Sequence, residues 1–336
     1  ITTIAVLQLA EAGLVDLDTG LDQYLRETVN PKIIQGFDEK DNPIFVDAAR
    51  SPTVRELITH TSGYVYSIWN EMALSAQAKG VTSPLGGGKE SIIAPLYFEP
   101  GSKWEYGVGI DWLGVMVEEV SGKRLMDFFE ERIFLPLQME DTFFKVPEVK
   151  RSRMTNLYAH HNAFKAFDVD IPKELKGKKP KMHLVDSSRD SLFYKSITVE
   201  DGGSGLVSTA SDYSNFAQML LNKGVYEGKR ILSAASFNTL VSNQLNEKNS
   251  RFRGFGMGIT LGIALDSKKI RLRRGDNSFF WGGAAKTKFW VDPENELTVV
   301  HMTQLIGTPR DLTSQIDKMI YKDIKNFEKL DKRPGY

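Results

Sequence analysis

The chain has 336 residues, enough for one large domain or two smaller ones with a full apolar core. Lys plus Arg and Asp plus Glu number 43 each, so no net field draws in nucleic acid or an anionic membrane. Cysteine is absent, which excludes a thiol nucleophile, a disulfide framework and a Cys-ligated metal. No run of about eighteen apolar residues occurs, so no membrane span is expected. The cytoplasm is favoured over the periplasm or secretion.

In chain order, Ile1 to Gly13 reads as a helix that is apolar around most of its surface and closed by a Gly C-cap. It has no Ser, Thr or Asp cap and no polar lead-in at its start, which predicts residues upstream of Ile1 in the natural protein. Residues 14–40 read as a helix-like segment from Gly20 to Leu25 followed by polar loops. Thr53 with Glu56 three residues on is a capping box, opening a helix that runs into Leu57-Ile58-Thr59-His60-Thr61-Ser62-Gly63. Residues 67–80, 108–121 and 124–133 have helical patterns, whereas 145–200 is charged, Pro-dotted and weakly periodic.

Gly202-Gly203-Ser204-Gly205-Leu206 precedes a helix capped by Thr209 or Ser211. After about residue 250 the period changes to two. Residues 255–261, 287–291 and 297–302 read as strands, the last two joined as a hairpin by Asp292-Pro293-Glu294-Asn295. An amphipathic helix from Asp311 to Phe327 closes the chain. A helical half followed by an antiparallel sheet and a final helix gives an α+β class.

Tyr106 stands in Trp104-Glu105-Tyr106-Gly107-Val108-Gly109-Ile110-Asp111-Trp112, between a Pro-Gly turn and an apolar helix. A phenol with pKa near ~10 is a poor base in water, but a neighbouring cation can hold it as phenolate. Together with Trp281-Gly282-Gly283 on a strand and the His-Thr-Ser-Gly turn, it suggests parts of a serine acyl-transfer site. The other conspicuous groups read as structural. His60 caps or buttresses its turn. Ser204 lacks the strand-turn-helix setting of a nucleophile elbow. His160-His161 lacks partners at metal spacing, and Gly86-Gly87-Gly88-Lys89 lacks a phosphate loop's context. The basic runs Lys176 to Lys181 and Arg271 to Arg274 are expected to be solvated faces, because neither is interleaved with aromatics.

The stretches 7–18, 53–63, 100–122, 202–221 and 281–293, in that order, resemble the serine β-lactamase/penicillin-binding-protein superfamily. The likeness is to its class C-like branch, and most to β-lactamase-fold carboxylesterases (family VIII esterases) and simvastatin-synthase type acyltransferases. The resemblance implies an antiparallel sheet flanked by helices plus a mainly helical domain, with the site in the cleft between them. The α/β sheet domain would take residues 1–15 and 222–336, with its N-terminal strands and helix missing upstream, and the helical domain residues 16–221.

That superfamily uses Ser-x-x-Lys at the start of a buried helix. None of the chain's serines has Lys three residues later, so the nucleophile and its lysine are expected upstream of Ile1, the serine about five residues before it. Tyr106 matches the family's base tyrosine. Trp281, Gly282 and Gly283 stand at the strand motif, with the Ala284 amide as an oxyanion donor. Tyr66, Trp69 and Val108 are candidate substrate-binding residues. Val108 occupies the place of an Asn that binds amide side chains, which disfavours β-lactam turnover. The implied activity is hydrolysis of small carboxylic esters through an acyl-serine, with no metal or cofactor. The alternatives are acyl transfer to an alcohol, a β-lactamase or D-alanyl-peptidase, and a catalytically dead binding homologue.

Overall fold

The computed structural model describes residues 1–83, 89–160, 181–188, 191, 200–246, 254–308 and 312–331. Of the sequence expectations, His161, Gly86 to Gly88 and Lys176 to Pro180 lie outside the described residues.

Helix α1 (Thr2–Glu11) buries eight consecutive residues, Thr2 to Leu9, because α5 (Gly109–Ser121) packs directly beside it. Between them, 3-10 turns at Leu21–Gln23 and Arg26–Thr28 lead into a hairpin, β1 (Lys32–Phe37) and β2 (Pro43–Asp47). The polar loops read over 14–40 therefore conceal strand β1. A register shift between Ile34 and Gly36 breaks its alternation, and β2 leaves Ile44, Phe45 and Val46 exposed. Period-two burial is the usual strand signal, and this hairpin lacks it.

Helix α2 (Val54–Ile58) starts at the expected capping box, with Thr53 and Glu56 satisfying each other's backbone amides. A 3-10 turn at Ser67–Trp69 precedes α3 (Glu71–Ala78), which is capped by Asn70, and a short α4 (Lys89–Ile92) follows. Helix α5 ends at Gly122 with φ 67°, a left-handed C-cap. Helix α6 (Leu125–Phe129) continues as one π turn before Pro136.

Strands β3 (Leu157–His160) and β4 (Met182–Asp186) pair, and β12 (Leu305–Ile306) joins β3 in parallel. Helix α7 (Ala210–Leu221) is capped by Thr209. A short ribbon, β5 (Val225–Tyr226) with β6 (Lys229–Arg230), and α8 (Ala234–Val241) lead to the main sheet.

The main sheet is antiparallel throughout, in the order β11 (Leu297–His301), β10 (Lys288–Asp292), β9 (Phe279–Gly282), β8 (Gly262–Ala264), β7 (Phe255–Met257). The single strand expected over 255–261 is in fact β7 and the turn after it, since Thr260 adopts φ 66° and reverses the chain into β8. Phe289 on β10 packs against Tyr213 and Phe216 of α7, at ring distances of 5.3 and 6.4 Å. Trp290, one residue on, faces the opposite way toward Tyr321 of the closing helix α9 (Leu312–Asp331). The centre of the sheet is thus covered on both faces, which explains why Phe289 to Asp292 are all buried.

Candidate active site

Two backbone hydrogen bonds pin the Tyr106 loop against the turn after α2: Glu105 N–H donates to His60 C=O (2.9 Å) and Tyr66 N–H to Tyr106 C=O (3.3 Å). Gly107 permits this contact, since a Cβ there would lie 2.1 Å from the Tyr64 carbonyl oxygen. Strand β9 brings Trp281 in from the other side. The Tyr106 ring consequently lies among His60 (4.5 Å between centroids), Tyr66 (5.2 Å), Trp281 (5.8 Å) and Trp69 (6.0 Å). Residues spread over more than two hundred positions of sequence meet around one phenol.

The electrostatics of that phenol are unfavourable for ionisation. Burial and the negative charge of Asp111 raise the Tyr106 pKa, while a hydrogen bond with the Trp281 side chain pulls it back. Burial pushes His60 down to about 3, so it is a neutral ring stacked on Trp281 with planes 11° apart. A neutral His60 supplies no charge to stabilise a phenolate, and its place is that of the expected buttress.

Tyr66 donates its hydroxyl to Asp111 Oδ2 at 2.9 Å, and the Gly203 amide donates to Asp111 Oδ1 at 3.2 Å. Burial raises the Asp111 pKa to about 6, with Asp201 adding to the shift and the Tyr66 and Gly203 bonds opposing it. Burial and Asp111 together also push the Tyr66 phenol well up. Asp111 is not among the site residues expected from the sequence. Its one sequence signal is a carboxylate between Ile110 and Trp112 in an otherwise apolar first turn.

The Gly202-Gly203 turn fits tightly on α5: a Cβ on Gly203 would meet Asp111 Oδ2 at 2.7 Å. The same turn receives the start of α1, where the Thr2 hydroxyl donates to Gly202 C=O at 2.5 Å. Asp111 therefore links the tyrosine pair to the N-terminal end of α1.

Strand pairing decides the remaining candidates. Gly282 is opposite Lys288, whose ammonium would lie 2.6 Å from a Cβ at Gly282. That cation is on the sheet face opposite Trp281, so the strand motif presents an indole to Tyr106. Gly283 and Ala284 are exposed beyond the end of β9, and the Gly283 amide is committed to Thr287 C=O at 2.9 Å. Trp69 is 55% exposed, at the rim of the aromatic group. Val108, expected to bind substrate, is instead 3% exposed and part of the main apolar core. It stands at the N-cap of α5, where its side chain turns inward and packs. Among the described residues no group of three His, Asp or Glu could hold a metal ion, and no helix is long and apolar enough to cross a membrane.

A family model described as Beta-lactamase matches residues 1–320. The chain belongs to the Beta-lactamase family. It is 28% identical to a lovastatin esterase from Penicillium rubens over 351 residues, covering 96% of this chain and 82% of that protein. It is 26% identical to ML-236A carboxylate methylbutanoyltransferase from Penicillium citrinum over 354 residues, covering 97% and 79%. Simvastatin synthase from Aspergillus terreus, in a mutant form, superposes with a TM-score of 0.80 at 25% identity, over 97% of this chain and 80% of that one. The β-lactamase-like fold implied by the sequence is therefore the fold of this Beta-lactamase family member.

Proposed function

We propose that the protein is a serine acyl-transfer enzyme that cleaves small neutral carboxylic esters, with Tyr106 as general base and then general acid. The observation that carries this reading is the Tyr106 hydroxyl itself, held by Trp281 within a group of aromatic rings. In the first step the serine oxygen attacks the ester carbonyl as Tyr106 takes its proton, and that proton then passes to the departing alcohol. In the second, water or another alcohol attacks the acyl-serine through the same tyrosine, releasing acid or a new ester. Because the Gly283 amide is occupied, the strand-side oxyanion donor is the Ala284 N–H; one such donor supports roughly 3–4 kcal/mol of transition-state stabilisation.

A nucleophile and a cation that lowers the Tyr106 pKa complete this site, as Ser-x-x-Lys on the turn leading into α1, whose Thr2 touches the Gly202 turn behind Asp111. An indole at the strand motif and a buried Val108 argue against recognition of a substrate carboxylate or amide side chain, and so against β-lactams. Acyl transfer to an alcohol is the second reading, supported by the aromatic walls of Tyr66, Trp69 and Trp281, which favour an apolar acceptor over water.

Reaction of the full-length natural protein with a fluorophosphonate, followed by peptide mapping, tests this. The expected result is one labelled serine directly ahead of α1, together with turnover of short-chain phenyl esters. Absence of both label and turnover would sink the proposal. Partitioning of one acyl donor between water and added alcohols then separates hydrolase from transferase.

A further inference from the structure

We propose that Asp111 is a positioning residue for this chemistry: by accepting the Tyr66 phenolic proton, it makes that oxygen an obligate hydrogen-bond acceptor beside Tyr106. The inference rests on the reading of Tyr106 as the base. A phenol has a single proton. With that proton committed to Asp111 Oδ2 at 2.9 Å, any further hydrogen bond to Tyr66 must be donated to it. Tyr66 therefore cannot donate to the neighbouring Tyr106 oxygen, whose lone pairs stay free to take the proton of a hydroxyl bound beside it.

Geometry fixes the carboxylate from three directions. It sits in the first turn of α5, where the helix dipole favours a negative charge. The Gly203 amide holds Oδ1, and the absence of a Cβ on Gly203 lets that turn close over the group. Tyr66 holds Oδ2, and Asp111 is 7% exposed. The titratable groups that face it are Tyr66 on the turn after α2, Tyr106 on the loop before α5, and Asp201 on the loop before α7. None of these is a cation, and His60, against Tyr106, is neutral. The charge on Asp111 is thus directed at the tyrosines, and it opposes ionisation of both.

Asp111→Asn in the full-length protein separates this role from a purely structural one. The amide oxygen is still needed by the Gly203 N–H, so the NH2 turns to Tyr66 and reverses the bond, freeing the Tyr66 proton to point into the site. The expected outcome is a roughly ten- to hundredfold fall in kcat. The acid limb of kcat/KM should move to lower pH, because Tyr106 loses an adjacent negative charge. Ultraviolet titration should show one tyrosine ionising at lower pH, a signal that disappears in Asp111→Asn/Tyr106→Phe. Tyr66→Phe, which keeps the charge, should lower kcat without moving the limb to lower pH.

An unmoved limb and an unmoved tyrosine titration in Asp111→Asn would overturn the proposal and leave Asp111 as a brace for the Gly202 turn. If Asp111→Asn fails to fold, an unchanged kcat in Tyr66→Phe overturns it. Full activity in Tyr106→Phe is a different result, since it removes the acyl-transfer reading itself.

Discussion

One tyrosine–aspartate pair lies on the α9 face of the main sheet and a second in the aromatic group that the opposite face meets through Trp281, and the two are built to different ends. Toward α9, Tyr321 donates to Asp292 Oδ2 at 2.7 Å, and the same carboxylate receives the Gly275 amide (3.0 Å) and the Asn295 side chain (2.8 Å). Beside it Arg274 pairs with Asp317 at 2.8 Å and lies 4.0 Å above the Trp290 ring. Each of these three buried charges has an opposite charge or several donors. Toward α7 and the aromatic group, Asp111 has two donors, a second carboxylate nearby in Asp201, and no cation among the groups that shift it. A fully paired buried network specifies structure. One that leaves a negative charge against two phenols costs stability, and such sites are where function is found.

The largest expected effect is on the paired face. Asp317→Ala would strand Arg274 and should cost about 3–5 kcal/mol in urea unfolding, with turnover per folded molecule unchanged. Turnover that falls in step with stability would erase the contrast between the faces.

Two pH slopes come next. His60 has its folded pKa held at about 3 against an ordinary 6.5, so its contribution to stability is present above 6.5 and is lost as pH falls toward 3. Asp111 works the other way. Its pKa rises from 3.8 to about 6, so the folded state keeps the proton longer and stability declines as pH climbs from about 4 to about 6. In the unsubstituted protein these slopes oppose each other over that interval. His60→Phe should expose the Asp111 slope, with stability falling by up to roughly 3 kcal/mol between pH 4 and pH 7. Asp111→Asn should do the reverse, gaining about 1–3 kcal/mol at pH 8 and nothing near pH 4. Denaturant midpoints at the two pH values check both, and parallel profiles for all three proteins would refute the assignment. The smallest effect belongs to the rim: Trp69→Ala should raise KM a few-fold, leave kcat alone, and change stability by less than about 0.5 kcal/mol.

What the sequence made legible was local chemistry. The Thr53–Glu56 box and the β10–β11 hairpin are each written in a few adjacent residues and form as read, and of the two candidate caps Thr209 and Ser211 it is Thr209 that caps α7. The β1–β2 hairpin escaped because a bulge and exposed apolar residues remove the alternation. The Arg271 to Arg274 run was misread as wholly solvated: Arg271 and Arg273 are exposed, but Arg274 is 6% exposed and paired 43 residues away. Tyr106, Tyr66 and Trp281 were visible through the family resemblance. Asp111 was not, because what distinguishes it is a partner 45 residues distant and burial that no local pattern encodes.

The proton movement assigned to Tyr106 in acyl transfer is tested most directly by Tyr106→Phe in the full-length protein. Stopped-flow release of phenol from a short-chain phenyl ester should slow by about 10²–10⁴-fold, while the thermal midpoint stays within a few degrees of the parent. A burst of unchanged rate and amplitude would contradict the account.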